Sequence, residues 1–219
     1  MEKYSVFIID DHALVREGLA MVVNQEPDME VCGSADDGPA ALNMLFNIEP
    51  SIAIVDLSLT TSDGLEVVKA IKARYPDVFV LVLSMREELV FAERCVRAGA
   101  SGYVMKSEEP AVVIKALRHI VKGKIYFSER MTEYILNKAM NVKNCSDKDV
   151  VEALTDREFQ VFQMVGNGFT SKHIAEKLNL SVKTIDAFRE SMKHKLGLKN
   201  ANELSQYAIK WAHYQDVII

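Results

Sequence analysis

The sequence predicts two domains of different class. The first is α/β, a five-stranded, doubly wound parallel sheet; a linker joins it to an all-α domain of four helices. Three observations carry this. Over residues 1–122, short β-branched or apolar runs alternate with stretches of helical period, as parallel strands joined by crossover helices require. From Leu154 onward the period is purely helical. The net charge of −5 is also uneven: −8 over residues 1–120, +2 over 121–150 and +1 over 151–219.

The predicted strands are Tyr4–Ile9, Met29–Ala35, Ile52–Asp56, Val78–Ser84 and Gly102–Met105. They are near-continuous apolar runs, as expected where both faces of a sheet are covered. Between them lie the helical stretches Leu14–Gln25, Pro39–Phe46, Leu65–Arg74, Leu89–Ala98 and Pro110–Lys122. Pro110 suits a first helical turn, where its missing N–H is no loss. Residues 123–150 form the connector: Ser128 caps a helix over Glu129–Met140, and NVKNCSDKD reads as a polar linker.

In the remainder, residues 151–219, LTDRE starts a helix with Thr155 as cap and Glu158 completing a capping box. That helix buries Phe159, Phe162 and Val165 and stops near GNG. Thr170 caps the next, which buries Ile174 and Leu178. Ser181 caps a third, with Ile185, Phe188 or Met192, and Leu196 on its apolar stripe, ending at Gly197. A fourth spans about Asn202–Tyr214 and carries Leu204, Ala208 and Trp211.

Composition excludes several classes. No apolar run approaches the roughly 18 residues that cross a membrane, and MEKYSVFIID lacks a signal-peptide pattern. Cys32, Cys95 and Cys145 have no CxxC spacing, which argues against a disulfide framework or zinc site and suits a reducing cytosol.

The chemistry gathers at strand ends. Asp10 and Asp11 close the first strand, Asp56 the third and Ser84 the fourth, and Lys106 follows the fifth. In an open parallel sheet these ends share the ligand-binding rim. A lone pair of aspartates is equally a solvated loop start. With the other groups at matching positions, the cluster suits a hard cation such as Mg2+ beside a phosphate, which would offset the Asp10–Asp11 repulsion.

The motifs IIDDHALVREGL, IVDLSLTTSDGLEVV, VLSMREE and RAGASGYVMKS resemble those of the NarL/FixJ type of response-regulator receiver domain, over the whole first half. The resemblance implies a flavodoxin-like fold with Asp56 as phosphoacceptor. It implies Mg2+ held by Asp10, Asp11, Asp56 and the backbone carbonyl of Ser58, with Asp11 the more direct ligand. Lys106 would pair with the phosphoryl group, Ser84 would bond to it, and Tyr103 would be the switch aromatic that changes exposure. Thr60 stands where the family commonly has Pro, and Arg86 where the subfamily often has His.

Two short helices joined by a tight turn, the second with five basic and two acidic residues over Ser181–Lys199, describe a helix-turn-helix. The stretch from Leu154 to Leu204 resembles the LuxR-type version from end to end. That resemblance makes Val182–Leu196 the recognition helix. Base-facing candidates are Lys183, Asp186, Ala187 and Glu190; phosphate candidates are Thr184, Arg189, Lys193 and Lys199. Asp186 replaces a frequent Lys.

The implied function is a two-component response regulator: a histidine kinase phosphorylates Asp56, and the protein then dimerises and binds double-stranded DNA to regulate transcription. This is not an enzyme. One alternative is a DNA-binding regulator whose receiver works without phosphorylation, against which stands the intact set Asp11, Asp56, Ser84 and Lys106. Another is an aspartyl-phosphate phosphohydrolase, against which stands the lack of a second aspartate two residues after Asp56.

Overall fold

The computed structural model describes residues 3–140, 151 and 153–216. The chain forms two compact units, Met1–Val142 and Lys143–Ile219. The polar run anticipated over 141–149, with Cys145, lies outside the described residues; Cys32 and Cys95 are free thiols. No described helix is long and apolar enough to cross a membrane.

In the first unit the strands are β1 (Tyr4–Ile9), β2 (Met29–Ala35), β3 (Ile52–Val55), β4 (Phe79–Ser84) and β5 (Gly102–Met105). The helices are α1 (Ala13–Asn24), α2 (Gly38–Ile48), α3 (Gly64–Arg74), α4 (Glu88–Arg97), α5 (Pro110–Ile120) and α6 (Glu129–Ala139). All strand pairs are parallel, in the order β2-β1-β3-β4-β5. Each predicted strand and helix forms, with ends displaced by two residues or fewer.

Alternation across the pleat explains the apolar runs. Val6, Ile8, Ile52, Ile54, Leu81 and Leu83 join Val23 of α1 and Val113, Ile114 and Leu117 of α5 in one core cluster. Their neighbours Phe7, Ile9, Ala53, Val55, Val80 and Val82 are also buried, so the central strands β1, β3 and β4 have no solvent face over these residues. Each large apolar side chain so buried contributes about 1.5–3 kcal/mol.

Strand order reverses between β2 and β3, on either side of β1. At such a switch point the loops leave in opposite directions and open a crevice at the C-terminal ends. The register pairs Ile9 with Val55, so Asp10 and Asp56 emerge side by side. The Asp56 amide donates to the Ile9 carbonyl at 2.9 Å.

Ser128 caps α6 by accepting from the Met131 amide at 3.1 Å. This helix docks on α4. Met131 is fully buried, Arg130 pairs with Glu87 at 3.1 Å, and Lys138 with Glu93 at 2.9 Å. Just before it, Tyr126 adds one parallel bridge to β5 at Gly102.

The second unit contains α7 (Asp156–Gly166), α8 (Ser171–Leu178), α9 (Val182–Lys195) and α10 (Ala201–Asp216). The predicted caps Thr155, Thr170 and Ser181 each accept a backbone N–H, and Thr155 with Glu158 forms the full capping box. Trp211 packs edge-on against Phe159 and Phe162, at ring separations of 5.4 and 5.6 Å. Ile174, Ile185, Met192, Leu204 and Ala208 complete a buried core. A Cβ on Gly166 would lie 2.6 Å from the Ala208 carbonyl oxygen, so this glycine allows α7 and α10 to approach closely.

Candidate functional site

The rim of the sheet gathers the predicted carboxylates. Asp10 and Asp56 are each only 2 % exposed. The Lys106 ammonium sits between them, 2.6 Å from Asp10 Oδ2 and 2.7 Å from Asp56 Oδ2. Lys106 therefore supplies, within the protein, part of the cation that the paired aspartates need. Burial works against its charge, but the bonds to Asp10 and Asp56 more than offset this and hold its pKa above the usual lysine value. Asp56 Oδ1 accepts the Ser58 amide at 3.1 Å, and Asp10 Oδ1 accepts the His12 amide at 2.9 Å.

Asp11 is built differently. Its Oδ2 accepts the Thr60 hydroxyl at 2.5 Å. Its Oδ1 is buried and accepts no directed hydrogen bond, although His12 Nδ1 lies 2.7 Å away. Burial opposes its charge, yet the Thr60 hydroxyl and the neighbouring His12 hold its pKa below the usual carboxylate value.

Ligand atoms of Asp10, Asp11, His12 and Asp56 all lie within 4.8 Å of one another. Three carboxylates that share one lysine and the exposed His12 are the donor set of a hard divalent cation. The acidic cluster Asp10, Asp11 and Asp56 thus fits such an ion.

Sequence reasoning missed Gly64. A Cβ there would stand 2.1 Å from the Asp56 carbonyl oxygen, so only glycine lets α3 begin this close behind the Asp56 strand end. The DG in SLTTSDG was the available signal.

Ser84 is fully buried at the end of β4, and its Oγ accepts the Arg86 amide at 3.3 Å. Tyr103 is 1 % exposed, its hydroxyl donating to the Arg86 carbonyl at 2.7 Å; burial pushes its pKa well above the ordinary value. The Arg86 side chain reaches back across the rim to donate to Ser58 Oγ at 3.0 Å. One residue of the β4–α4 loop thereby touches the loop after β3, the end of β4 and Tyr103 of β5.

In the helical unit, Lys183, Asp186, Ala187 and Glu190 are exposed along one face of α9, at positions i, i+3, i+4 and i+7. Among the described residues Asp186 forms no ion pair, whereas Lys193 pairs with Glu190 at 2.8 Å. Thr184 is engaged in the helix cap, 2.8 Å from Ser181 Oγ. Arg189 is half-buried and points toward Ser205 Oγ at 3.2 Å and Ser171 Oγ at 3.5 Å. Lys199 is exposed beyond the helix end.

Glu158, predicted only as a capping residue, does more. It accepts the Thr155 amide at 2.7 Å, the Ser191 hydroxyl at 2.6 Å and the Lys195 ammonium at 2.6 Å. Burial alone would raise its pKa, but these donors, Lys195 foremost, bring it down to about 2. This carboxylate pins α9 to the start of α7.

With two such sites in place, comparison with known proteins decides the family. Residues 6–118 match the response regulator receiver domain, and residues 152–208 match the luxR family of bacterial regulatory proteins. The chain is a response regulator of the NarL/FixJ type. It is 34% identical to the oxygen regulatory protein NreC of Staphylococcus haemolyticus over 209 residues, covering 94% of this chain and 96% of that protein. NreC of Staphylococcus carnosus is similar to the same degree. Among solved structures, the response regulator RcsB of Salmonella typhimurium aligns with a TM-score of 0.72 at 27% identity, over 100% of this response regulator and 99% of RcsB. RcsB bound to the rprA promoter with the phosphomimetic BeF3− aligns at 0.70 and 27% identity, covering 94% and 98%.

Proposed function

We propose that a histidine kinase transfers a phosphoryl group to Asp56, and that the phosphorylated chain dimerises and binds double-stranded DNA through α9 to regulate transcription. The observation that carries this reading is the Lys106 ammonium seated between two buried carboxylates, with a third carboxylate, Asp11, gathered beside them. Asp56 attacks phosphorus as the P–N bond of a phosphohistidine breaks, giving an acyl phosphate. Lys106 already touches Asp56 and turns from the free carboxylate to the phosphoryl oxygens that replace it. Asp10, Asp11, Asp56 and the Ser58 backbone carbonyl would hold Mg2+, which when bound neutralises charge on the transferring group.

The new phosphoryl oxygens draw the Ser84 hydroxyl toward them. Ser84 Oγ now accepts the Arg86 amide, and the Arg86 carbonyl holds the Tyr103 hydroxyl. A shift of Ser84 is therefore felt at Tyr103, and these contacts can bias a two-state surface. On α9, Lys183, Asp186, Ala187 and Glu190 would face base edges. Lys193 and Lys199, with Thr184 and Arg189, would face phosphates. Two copies are required because one recognition helix has a small footprint, while two spaced one helical turn apart bind cooperatively. The RcsB–promoter complex formed with a phosphomimetic supports the same order of events here. The setting is the cytoplasm, where DNA is reached directly.

The test is to phosphorylate the chain with a small acyl phosphate and Mg2+, then measure mass by sedimentation and DNA affinity by gel shift. Dimerisation and DNA binding tighten together on this reading. Equal mass and equal affinity with and without phosphate would overturn it.

A further inference from the structure

The loop that follows Asp56 carries four hydroxyl residues, and each is tied to a different backbone or side-chain group. Ser58 Oγ accepts from Arg86 at 3.0 Å, and Ser62 Oγ accepts the Gly38 amide at 3.1 Å. Thr61 Oγ1 donates to Asp37 Oδ2 at 3.3 Å. Thr60 Oγ1 alone donates to a member of the acidic cluster, Asp11 Oδ2. The usual proline at this position would have no side-chain donor.

The two oxygens of Asp11 are consequently unlike each other. Oδ2 is committed to Thr60, and Oδ1 is buried without a directed donor. A hydroxyl bonded to one oxygen fixes the carboxylate's rotation and leaves the other, Oδ1, beside His12 Nδ1, which itself lies 3.4 Å from Asp10 Oδ1. His12 lies close to Oδ1, but its side chain is 66% exposed and free to withdraw into water. Outer-shell donors of this kind orient metal-ligating carboxylates, and their loss typically weakens metal binding 10–100-fold.

We infer that Thr60 is a positioning residue for the divalent-cation site. Its hydroxyl holds Asp11 Oδ2 and so presents Asp11 Oδ1 to Mg2+. This rests on the reading of Asp10, Asp11 and Asp56 as that cation's ligands. It goes beyond that reading by assigning cation affinity to a residue that touches neither the ion nor the phosphoryl group.

The experiment is a titration of the isotope-labelled full chain with Mg2+ alone, followed by amide NMR shifts around Asp10, Asp11 and Asp56. Thr60→Val keeps the shape of the side chain and removes the hydroxyl; Thr60→Ser keeps the hydroxyl. Thr60 is exposed, so the amide spectrum away from the rim stays unchanged in both. The expected result is a dissociation constant raised about tenfold in Thr60→Val and within about twofold of wild type in Thr60→Ser. Affinity unchanged or tighter in Thr60→Val overturns the proposal, as does equal weakening in both variants. Asp11→Asn separates the two levels of the argument. If Asp11→Asn binds Mg2+ as the wild type does, the cation reading itself fails and this proposal falls with it. If Asp11→Asn loses binding while Thr60→Val does not, only the role of Thr60 falls.

Discussion

Asp56 in the α/β unit and Glu158 in the helical unit are both almost fully buried, and each meets a lysine ammonium, at 2.7 and 2.6 Å. Their surroundings differ in one respect. Lys195 serves Glu158 alone, and an amide and a hydroxyl complete that carboxylate's shell. Lys106 is divided between Asp10 and Asp56, while Asp11 adds a third carboxylate whose Oδ1 has only the exposed His12 as its ion-pair neighbour among the described residues, at 2.7 Å. A satisfied buried carboxylate is a staple: it holds two helices in one geometry and has no capacity left for chemistry. An under-compensated cluster is poised to take up a cation, and with it a phosphoryl group.

The sharpest way to break this contrast is Asp56→Asn. The substitution keeps the shape and removes the nucleophile. Incubation with an acyl phosphate and Mg2+ should label the wild type and leave the variant unlabelled, as read by mass spectrometry. Full labelling of Asp56→Asn would show that the chemistry lies elsewhere.

Glu158→Ala tests the other half. Removing one member of a buried pair typically costs about 3–5 kcal/mol, because the partner is left uncompensated; partial exposure of Lys195 places the expectation near 3 kcal/mol. The chain's single tryptophan, Trp211, lies in the helical core against Phe159 and Phe162, so its fluorescence reports on this unit. The folded pKa of Glu158 is about 2, below the ordinary 4.5, so its contribution is complete above pH 4.5 and is lost as pH falls toward 2. Wild type should lose stability across that window more steeply than Glu158→Ala. Parallel curves would mean that the carboxylate is not stapling the unit.

Most of the fold was legible because the signals were local. Buried parallel strands must be apolar throughout, and helix starts carry their caps in sequence, as at Thr155, Thr170 and Ser181. The rim was legible as well, since strand ends in a parallel sheet converge. What stayed hidden were contacts set by tertiary approach. Glu158 meets Lys195 37 residues away, Glu88 meets Ser128 40 residues away, and Thr60 meets Asp11 49 residues away. No periodicity encodes such pairs. Arg189 illustrates the same limit: it lies half-buried, reaching Ser171 and Ser205, partners 18 and 16 residues away that no local pattern encodes.

On α9 the contrast takes another form, between charges that face solvent and those that do not. Asp186 is exposed and forms no ion pair among the described residues, so it is available to accept from cytosine N4. Asp186→Ala should relax preference at one base pair by roughly 1–3 kcal/mol. Lys193→Ala should instead weaken binding to all sequences alike and flatten the salt dependence by about one unit. A base-by-base affinity scan separates the two; an unchanged preference profile for Asp186→Ala would remove its role in readout.

The smallest effect sharpens the comparison most directly, because the same chemical change can be made in both units. Thr170 and Ser128 each cap a helix, α8 and α6. Thr170 accepts the His173 amide at 3.3 Å on an exposed surface. Losing such a cap typically costs about 1 kcal/mol. Ser128 accepts the Met131 amide and also donates its hydroxyl to Glu88 Oε2, while its amide donates to Glu88 Oε1 at 2.9 Å. Glu88 is 7 % exposed and burial already raises its pKa, so it depends on these donors to carry charge. Ser128→Ala removes the cap and also leaves a buried carboxylate oxygen without its hydroxyl, which adds about 1 kcal/mol or more. Hydrogen exchange should therefore accelerate across α6 in Ser128→Ala by several-fold more than across α8 in Thr170→Ala. Glu88→Gln, which keeps the shape and lowers the acceptor's charge, should fall between Ser128→Ala and wild type. Equal acceleration in the two alanine variants would mean that Glu88 adds nothing to the cap, and that α6 is held on α4 by Met131 and its surface pairs alone.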